Sequence, residues 1–407
     1  MKSKVLFITY DGLTDPLGQS QILPYYLGLA QRGYQISILS AEKKENFETN
    51  KAYVAAQLKQ NNILWRHVFY SNQPPVISTF LKIKELKKIA FQITEECGIE
   101  IVHCRSIIPA MIGDTLRKSL DLKLIFDIRG FWADERVEGG IWNLSNPLFG
   151  LIYKYFKRKE KQLFNSADYI ISLTENAKNY IQSHFQIKGN VQVIPCCVDI
   201  DHFSLDKLDQ NARIELRKQF NLTEENYVLC YVGSLGTRYL LKEMLLFFKE
   251  LYLLDNKARF LFISKSDTSE INAICNAEKI NRDAVIITSC EYRDIPSYIS
   301  IADASVFFIK TSFSGKAASP TKQAEVMSLG LPIVANSGLG DTDEIINDEQ
   351  AGIIINEFST EVFRETAEGL INFKVDKGKI RSSAIRRFSL EKGIDRYQTV
   401  YEELGRN

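Results

Sequence analysis

Short apolar runs rich in Val, Ile and Phe alternate along the chain with longer segments whose apolar residues recur every three or four positions. The short runs predict buried parallel strands and the longer segments predict helices, because helices cover both faces of a parallel sheet. The alternation therefore predicts an α/β protein with two doubly wound domains. The predicted strands are residues 5–10, 34–39, 99–104, 122–128, 169–173 and 191–194, followed by 227–232, 260–264, 284–288, 304–309, 331–335 and 352–355.

The predicted domain boundary lies near residues 195–203, where a proline follows a strand and a charged stretch comes next. We predict an N-terminal domain of residues 1–197 and a C-terminal domain of residues 198–389. A last helical pattern comes after the second set of strands, and we expect residues 390–407 to pack back on the first domain. Because such sheets bind ligands beyond the carboxyl ends of their strands, two facing domains predict a cleft.

Composition and charge exclude several classes of protein. The 407 residues carry a net charge of +1, so the chain is not a nucleic-acid polycation and we expect no nucleic-acid partner. The seven cysteines include no C-x-x-C spacing, which favours buried free thiols over a zinc site. No signal-peptide pattern and no run of about 18 apolar residues occurs, so a cytoplasmic location is expected.

The segment 319–335 holds the most informative polar pattern. Ser319 is predicted to N-cap a short helix, Pro320 to take its first position and Gly330 to end it. Lys322 and Glu325 lie one turn apart, so they share a helix face. A helix start beside a lysine suits an anion, and a nearby carboxylate accepts hydrogen bonds from sugar hydroxyls. Taken alone, the pattern is more typical of a capped helix with a solvated ion pair.

Two other strand ends carry charged or flexible residues. Gly233 and Arg238 follow strand 227–232, where glycine permits close backbone approach and arginine reaches a diphosphate. Lys242 comes one turn later. A solvated helix start is the alternative interpretation for both basic residues, and for Lys242 it is the favoured one. Asp127 and Arg129 alternate with apolar residues at the end of strand 122–128 and are predicted to face the cleft. An internal ion pair between these two residues is the competing interpretation.

The loop after the first strand lacks the dinucleotide G-x-G-x-x-G pattern. It contains Gly18, and Gln19 or Ser20 is expected to open the next helix; an ordinary glycine turn is an equally good interpretation. The D-x-D triplets at 199–201 and 341–343 are explained by chance and helix capping. We therefore predict no metal site. His103, among apolar residues, is predicted to be a satisfied core histidine.

Two predicted helices, residues 80–92 and 153–164, are basic on one face. Such helices can rest on an anionic lipid surface, which would make the protein peripheral on the inner face of a membrane. A solvated helix face is the more frequent alternative.

Taken in order, the segments 194–203, 291–306, 319–334 and 386–404 resemble the retaining glycosyltransferases of the GT-B fold, in the large family-four group. The resemblance covers nearly the whole chain. It implies two Rossmann-like domains, with an acceptor bound to the first and a nucleoside diphosphate sugar bound to the second. In this family Glu325 matches the residue that binds the donor ribose, and Arg238 with Lys322 would hold the diphosphate.

The resemblance also has departures. A glutamate that often contacts the sugar is replaced here by Ala317, a histidine by Arg129, and a basic residue by Ser234. The predicted catalytic residues are Arg129 and Asp127. The predicted acceptor-binding residues are Gly18, Gln19 and Asp134. The predicted donor-binding residues are Gly233, Arg238, Lys242, Ser319, Thr321, Lys322 and Glu325.

The function implied is transfer of a hexose from a nucleoside diphosphate sugar to a hydroxyl of a saccharide or lipid-linked acceptor, with retention, in surface polysaccharide synthesis. No cofactor and no metal is expected. The alternatives are a GT-B nucleotide-sugar epimerase and a non-catalytic two-domain ligand-binding protein.

Overall fold

The computed structural model describes residues 2–70, 77–236 and 238–405, with the backbone alone for residues 77–80. The chain forms two compact units. The first contains Met1–Pro195 together with Leu390–Asn407, and the second contains Cys196–Ser389.

The first unit is built on a seven-stranded parallel sheet in the order β3-β2-β1-β4-β5-β6-β7. The central strands are almost fully buried because helices cover them, as their continuous apolar runs require. The strands are Lys4–Thr9 (β1), Gln35–Glu42 (β2), Leu64–Phe69 (β3), Ile101–Arg105 (β4), Lys123–Asp127 (β5), Tyr169–Ser172 (β6) and Asn190–Val193 (β7).

The helices of the first unit include one from the far C-terminal end of the chain, α17, which packs against α2. They are Pro16–Gln21 (α1), Leu23–Gln31 (α2), Lys44–Gln60 (α3), Ile77–Cys97 (α4), Ile107–Leu120 (α5), Trp132–Glu138 (α6), Pro147–Ser166 (α7), Glu175–His184 (α8) and Leu390–Gly405 (α17).

The second unit is built on a six-stranded parallel sheet in the order β10-β9-β8-β11-β12-β13. Its strands are Val228–Val232 (β8), Arg259–Ile263 (β9), Val285–Thr288 (β10), Ala304–Phe307 (β11), Ile333–Asn336 (β12) and Gly352–Ile355 (β13). Its helices are Gln210–Gln219 (α9), Leu241–Leu254 (α10), Ser269–Glu278 (α11), Ile295–Ser300 (α12), Thr321–Ser328 (α13), Thr342–Glu349 (α14), Thr360–Ile371 (α15) and Lys377–Phe388 (α16).

These two sheets confirm the predicted fold class and all twelve predicted strands. The pattern missed β3, an edge strand that pairs only with β2 among the described residues. Its sequence includes Trp65, Arg66 and His67, which are only partly buried. The faces of this edge strand are less completely covered than those of a central strand, so they tolerate polar residues and the continuous apolar run is missing.

Strand β2 also extends past its predicted end to Glu42, which is fully buried. The Glu42 carboxylate accepts the backbone N–H groups of Leu13 and Thr14 at 2.8 and 3.1 Å. These bonds offset the cost of burying a charge and hold the loop after β1 against β2.

Among the residues that the structure describes, no helix is long and apolar enough to cross a bilayer.

Candidate functional site

The second unit places Gly233 and Lys322 side by side at the carboxyl end of β8. Gly233 has a φ of +129°, a conformation that favours glycine. A Cβ atom built on Gly233 would lie 3.2 Å from Lys322 Nζ. The backbone of the β8–α10 loop therefore runs directly beside the ammonium group, as the glycine at this position predicted.

Lys322 is buried, with 5% of its surface exposed. Its Nζ lies 3.6 Å from the centre of the Tyr239 ring and 4.7 Å from that of Tyr231. The Tyr231 hydroxyl is 3.4 Å from Nζ. No carboxylate of the described residues lies within 4.0 Å of this ammonium, so its nearest neighbours are aromatic faces, which favour a cation. Burial lowers the pKa of Lys322 to about 7, although the charge of Glu325 opposes the shift.

Glu325 is half-buried and lies one turn after Lys322 on α13. Burial raises the pKa of Glu325 to about 7, and the nearby ammonium of Lys322 opposes the rise. The two groups thus lower each other's cost of burial without forming an ion pair. A buried ammonium with a carboxylate one turn away suits a ligand that has both phosphates and hydroxyls.

The start of α13 differs from the prediction. The helix begins at Thr321, Pro320 is the residue before it, and no side chain caps it. The predicted N-cap by Ser319 is wrong, because the Ser319 hydroxyl accepts the backbone N–H of Cys196 at 3.1 Å. The first amides of α13 are therefore not satisfied by a capping side chain. The predicted helix end is confirmed, since Gly330 has a φ of +71°.

The two other basic residues predicted to bind the donor differ from Lys322, because both are exposed. Arg238 is exposed, and its carbonyl accepts the backbone N–H of Lys310 at 2.8 Å. Lys242 forms an exposed ion pair of 2.7 Å with Glu278 of α11. The buried positive charge of this region therefore comes from Lys322.

The first unit has its own buried polar cluster at the carboxyl ends of β4 and β5. Asp127 is 1% exposed. Its Oδ2 accepts the Tyr397 hydroxyl at 3.1 Å and lies 3.7 Å from His103 Nε2 and 3.8 Å from Arg129 Nη1. Burial opposes ionisation of Asp127, but the charge of Arg129 and the contact with His103 lower its pKa. The Asp127–Arg129 ion pair weighed from the sequence thus exists, in a loose form.

Two residues at the ends of β4 and β5 have unusual backbone conformations. Arg129 has a φ of +50°, and Ser106, at the end of neighbouring β4, has a φ of +73°. The Ser106 N–H donates to the Asp127 carbonyl at 2.7 Å, so the two strand ends are joined. Non-glycine residues in such conformations cost free energy and concentrate at functional sites. This pair of strained residues points to the β4 and β5 ends as a site.

The sequence missed the aromatic part of this cluster. His103 Nδ1 lies 2.8 Å from the Tyr401 hydroxyl and 3.1 Å from the Tyr26 hydroxyl. Its Nε2 has no hydrogen-bond partner among the described residues, so the predicted satisfied core histidine is satisfied on one nitrogen only. Burial lowers the pKa of His103, although Asp127 opposes the shift. Two tyrosines four residues apart on the apolar face of the last helix, Tyr397 and Tyr401, were the available signal.

The predicted acceptor residues are all engaged in local structure. Helix α1 begins at Pro16, so the prediction that Gln19 or Ser20 opens the helix is wrong. A Cβ atom built on Gly18 would lie 2.0 Å from the Gly12 carbonyl, which requires glycine there. The Gln19 side chain donates to the Thr14 carbonyl at 3.1 Å.

Asp134 likewise has structural partners. It is buried, and its two oxygens accept Tyr153 and Lys157 of α7, each at 2.7 Å. These bonds fasten α6 to α7.

The D-x-D triplets bind local backbone, but the expected helix capping is not observed, because Asp341 precedes α14 without a side-chain capping hydrogen bond. Asp199 accepts the backbone N–H groups of Asp201 and His202, and Asp343 accepts that of Gly338. Within the described ranges, no group of three or more His, Cys, Asp or Glu residues is arranged to hold a metal ion.

Comparison with known proteins gives the family. The model of Glycosyltransferase Family 4 matches residues 26–202, and that of Glycosyl transferases group 1 matches residues 212–387. The uncharacterized glycosyltransferase MJ1069 of Methanocaldococcus jannaschii is 24% identical over 62% of this chain and 63% of its own length, so the match spans less than two thirds of that relative.

Two solved structures show the same fold over the full chain. A glycosyltransferase of Rickettsia africae has a TM-score of 0.73 at 16% identity, covering 100% of this chain and 99% of its own. HepE of Anabaena, solved with UDP, has a TM-score of 0.72 at 14% identity, covering 99% and 100%. With both family models matched in order and the GT-B fold in place, the chain belongs to the group 1 glycosyltransferases.

Proposed function

We propose that this protein transfers a hexose from a nucleoside diphosphate sugar to a hydroxyl of a saccharide or lipid-linked acceptor, with retention at the anomeric carbon. The observation that carries the proposal is the buried Lys322 ammonium. It lies against the backbone at Gly233 and at the uncapped start of α13, without a carboxylate ion-pair partner among the described residues.

In this proposal the second unit binds the donor. The diphosphate lies at Lys322 and the first amides of α13, where the helix dipole and the ammonium both favour negative charge. Because Gly233 has no side chain, the backbone at this position can lie close to the diphosphate. Glu325 accepts hydrogen bonds from ribose hydroxyls. Further contacts with the donor come from Thr321, Ser319 and the exposed Arg238. UDP is the first nucleotide to test, because HepE was solved with UDP and with UDP-glucose.

The chemical step needs charge stabilisation on the departing diphosphate. The bond between the anomeric carbon and the phosphate oxygen breaks while the acceptor oxygen attacks the same face. The acceptor proton passes to the leaving phosphate oxygen. Lys322 neutralises the charge that develops, and the mechanism assigns no role to a metal ion.

Arg129 is the proposed catalytic residue of the first unit, and Asp127 positions its guanidinium. The strained backbone of Arg129 and the buried Asp127 carboxylate, held by Tyr397, preorganise this group. We propose that the acceptor is part of surface polysaccharide synthesis and is presented at a membrane.

The proposal is tested by a panel of UDP-, GDP- and ADP-sugars. We expect one nucleotide to raise the melting temperature, because a ligand that binds only the folded state stabilises it. We also expect slow hydrolysis of the matching sugar donor without an acceptor. Release of free sugar with retained configuration supports a transferase, an epimerised nucleotide sugar supports the epimerase, and binding without any turnover supports a ligand-binding protein.

UDP affinity is expected to fall as pH rises from 7 to 9. The pKa of Lys322 in the free protein is about 7, so the lysine is mostly neutral above that pH. A bound diphosphate favours the charged form, so binding above pH 7 must take up a proton. The affinity should therefore fall by up to about tenfold per pH unit.

Calorimetry in two buffers of different ionisation enthalpy measures this proton uptake. The variant Lys322→Met is the control, since it lacks the ammonium that takes up this proton and should show less proton uptake than the wild type, with any remaining uptake assigned to Glu325. A dissociation constant that stays the same from pH 7 to 9 contradicts the assignment.

A further inference from the structure

Large exposed apolar side chains concentrate in one short part of the first unit, the α6–α7 loop and the first three turns of α7. Leu148 is 56% exposed and Leu151 is 68% exposed. Ile141, Leu144 and Tyr155 are exposed as well. Single exposed apolar residues are ordinary, but five of them within residues 141–155 indicate an interaction site.

Three of these residues share one face of α7. Leu148, Leu151 and Tyr155 are spaced by three and four positions, so they line one stripe of the helix. The face toward the domain is a different one, with Phe156, Glu160 and Leu163 buried in it. Helix α7 thus has a second apolar stripe that is not used in packing the first unit.

The charges around this stripe have one sign. No acidic residue occurs between Glu138 and Glu160. Glu160 is buried and paired with Lys157, which also contacts Asp134. Arg158 continues the stripe and is exposed, as is the uncharged Gln162, and the exposed cations Lys154 and Lys161 lie beside the stripe on the same helix.

The other basic helix predicted from the sequence is a weaker candidate. In α4 the ammonium of Lys82 is paired with Glu85 at 2.8 Å, and Glu95 and Glu96 follow on the same helix. The side chains of residues 77–80 lie outside the described part of the chain. Among the described side chains of α4, Leu81 is the exposed large apolar one.

We propose that the exposed surface of Ile141, Leu144, Leu148, Leu151 and Tyr155 with Lys154, Arg158 and Lys161, here called the α7 surface, docks on an anionic lipid bilayer. The apolar side chains enter the interface, and the cations meet lipid phosphates. This docking deepens the proposed function, because it brings the first unit to acceptors held in a membrane. It requires no sugar transfer, so it is measured independently.

The experiment is sedimentation of the full chain with vesicles. We expect binding to vesicles that contain phosphatidylglycerol, little binding to pure phosphatidylcholine, and a loss of binding as salt increases. The double variant Leu148→Asp/Leu151→Asp should bind anionic vesicles at least about tenfold more weakly.

The matched control is Leu253→Asp, on α10 of the second unit, because Leu253 is 66% exposed and lies on an unrelated surface. It should bind vesicles as the wild type does. Both variants should unfold at about the wild-type temperature, which shows that they fold, and should hydrolyse the donor found in the panel at the wild-type rate.

Three outcomes overturn the proposal. The first is vesicle binding by the double variant that equals that of the wild type. The second is wild-type binding to neutral vesicles that equals its binding to anionic vesicles. The third is a wild-type dimer in light scattering that the double variant converts to a monomer while vesicle binding is unchanged, because the α7 surface would then bind a second copy. Absence of any donor hydrolysis bears on the proposed function alone and leaves the vesicle result interpretable.

Discussion

Replacing Lys322 by methionine is expected to weaken UDP binding by at least about 100-fold while leaving the melting temperature at or above that of the wild type. The loss of affinity follows because charge-assisted hydrogen bonds to phosphate are worth about 1.5–3 kcal/mol each. The gain in stability follows because burial lowers the pKa of Lys322 to about 7, so the folded protein holds this ammonium at a cost. Calorimetric titration and thermal unfolding at pH 7 measure the two effects.

The matched control is Lys249→Met, in the same unit. Lys249 is half-buried and donates to the Glu278 carbonyl at 2.8 Å, so its loss should lower stability and leave UDP affinity unchanged. A Lys322→Met protein that unfolds at a much lower temperature, or that binds UDP as tightly as wild type, shows that Lys322 serves the fold rather than the ligand.

Replacing Arg129 by alanine is expected to lower the rate of sugar transfer by about 100- to 1,000-fold with UDP affinity unchanged. Loss of one preorganised charge that acts in the transition state has an effect of this size. The Arg129→Ala change should leave UDP binding unaltered, because the donor nucleotide is assigned to the second unit. Steady-state kinetics with the donor found in the panel, together with UDP titration, separate the two quantities.

Arg117→Ala is the matched control, since Arg117 is a largely buried arginine of the first unit whose partner, Asp114, is on its own helix. It should keep transfer activity near that of wild type. Arg129→Lys, which retains a charge, should recover part of the lost rate. If Arg129→Ala transfers sugar at the wild-type rate, the catalytic assignment at β5 is wrong.

The central strands were predictable because their apolar runs are a local property. Strands such as β1, β8 and β12 are buried on both faces, and nothing but continuous apolar sequence fits there. Edge strand β3 was not predictable in this way, because its partly exposed position tolerates Arg66 and His67.

The candidate site was predictable in its residue types and less so in its contacts. The spacing of Lys322 and Glu325 placed them on one helix face, and the structure confirms this. The sequence did not show that Lys322 would lie on the rings of Tyr231 and Tyr239, which come from a different part of the chain. It also did not show that Ser319 would bond to the backbone of Cys196 rather than cap the helix.

By itself, then, the sequence determined the two doubly wound sheets, the glycine beside a basic helix start and the resemblance to glycosyltransferases, because each of these is encoded in local periodicity or spacing. Tertiary structure alone decided which charges are buried. It placed Lys322 among aromatic rings and joined Tyr397 of the last helix to Asp127, 270 residues away along the chain. The reason is physical: a pKa and a buried hydrogen bond depend on the groups that surround an atom in space, and distant segments supply those groups only after the chain has folded.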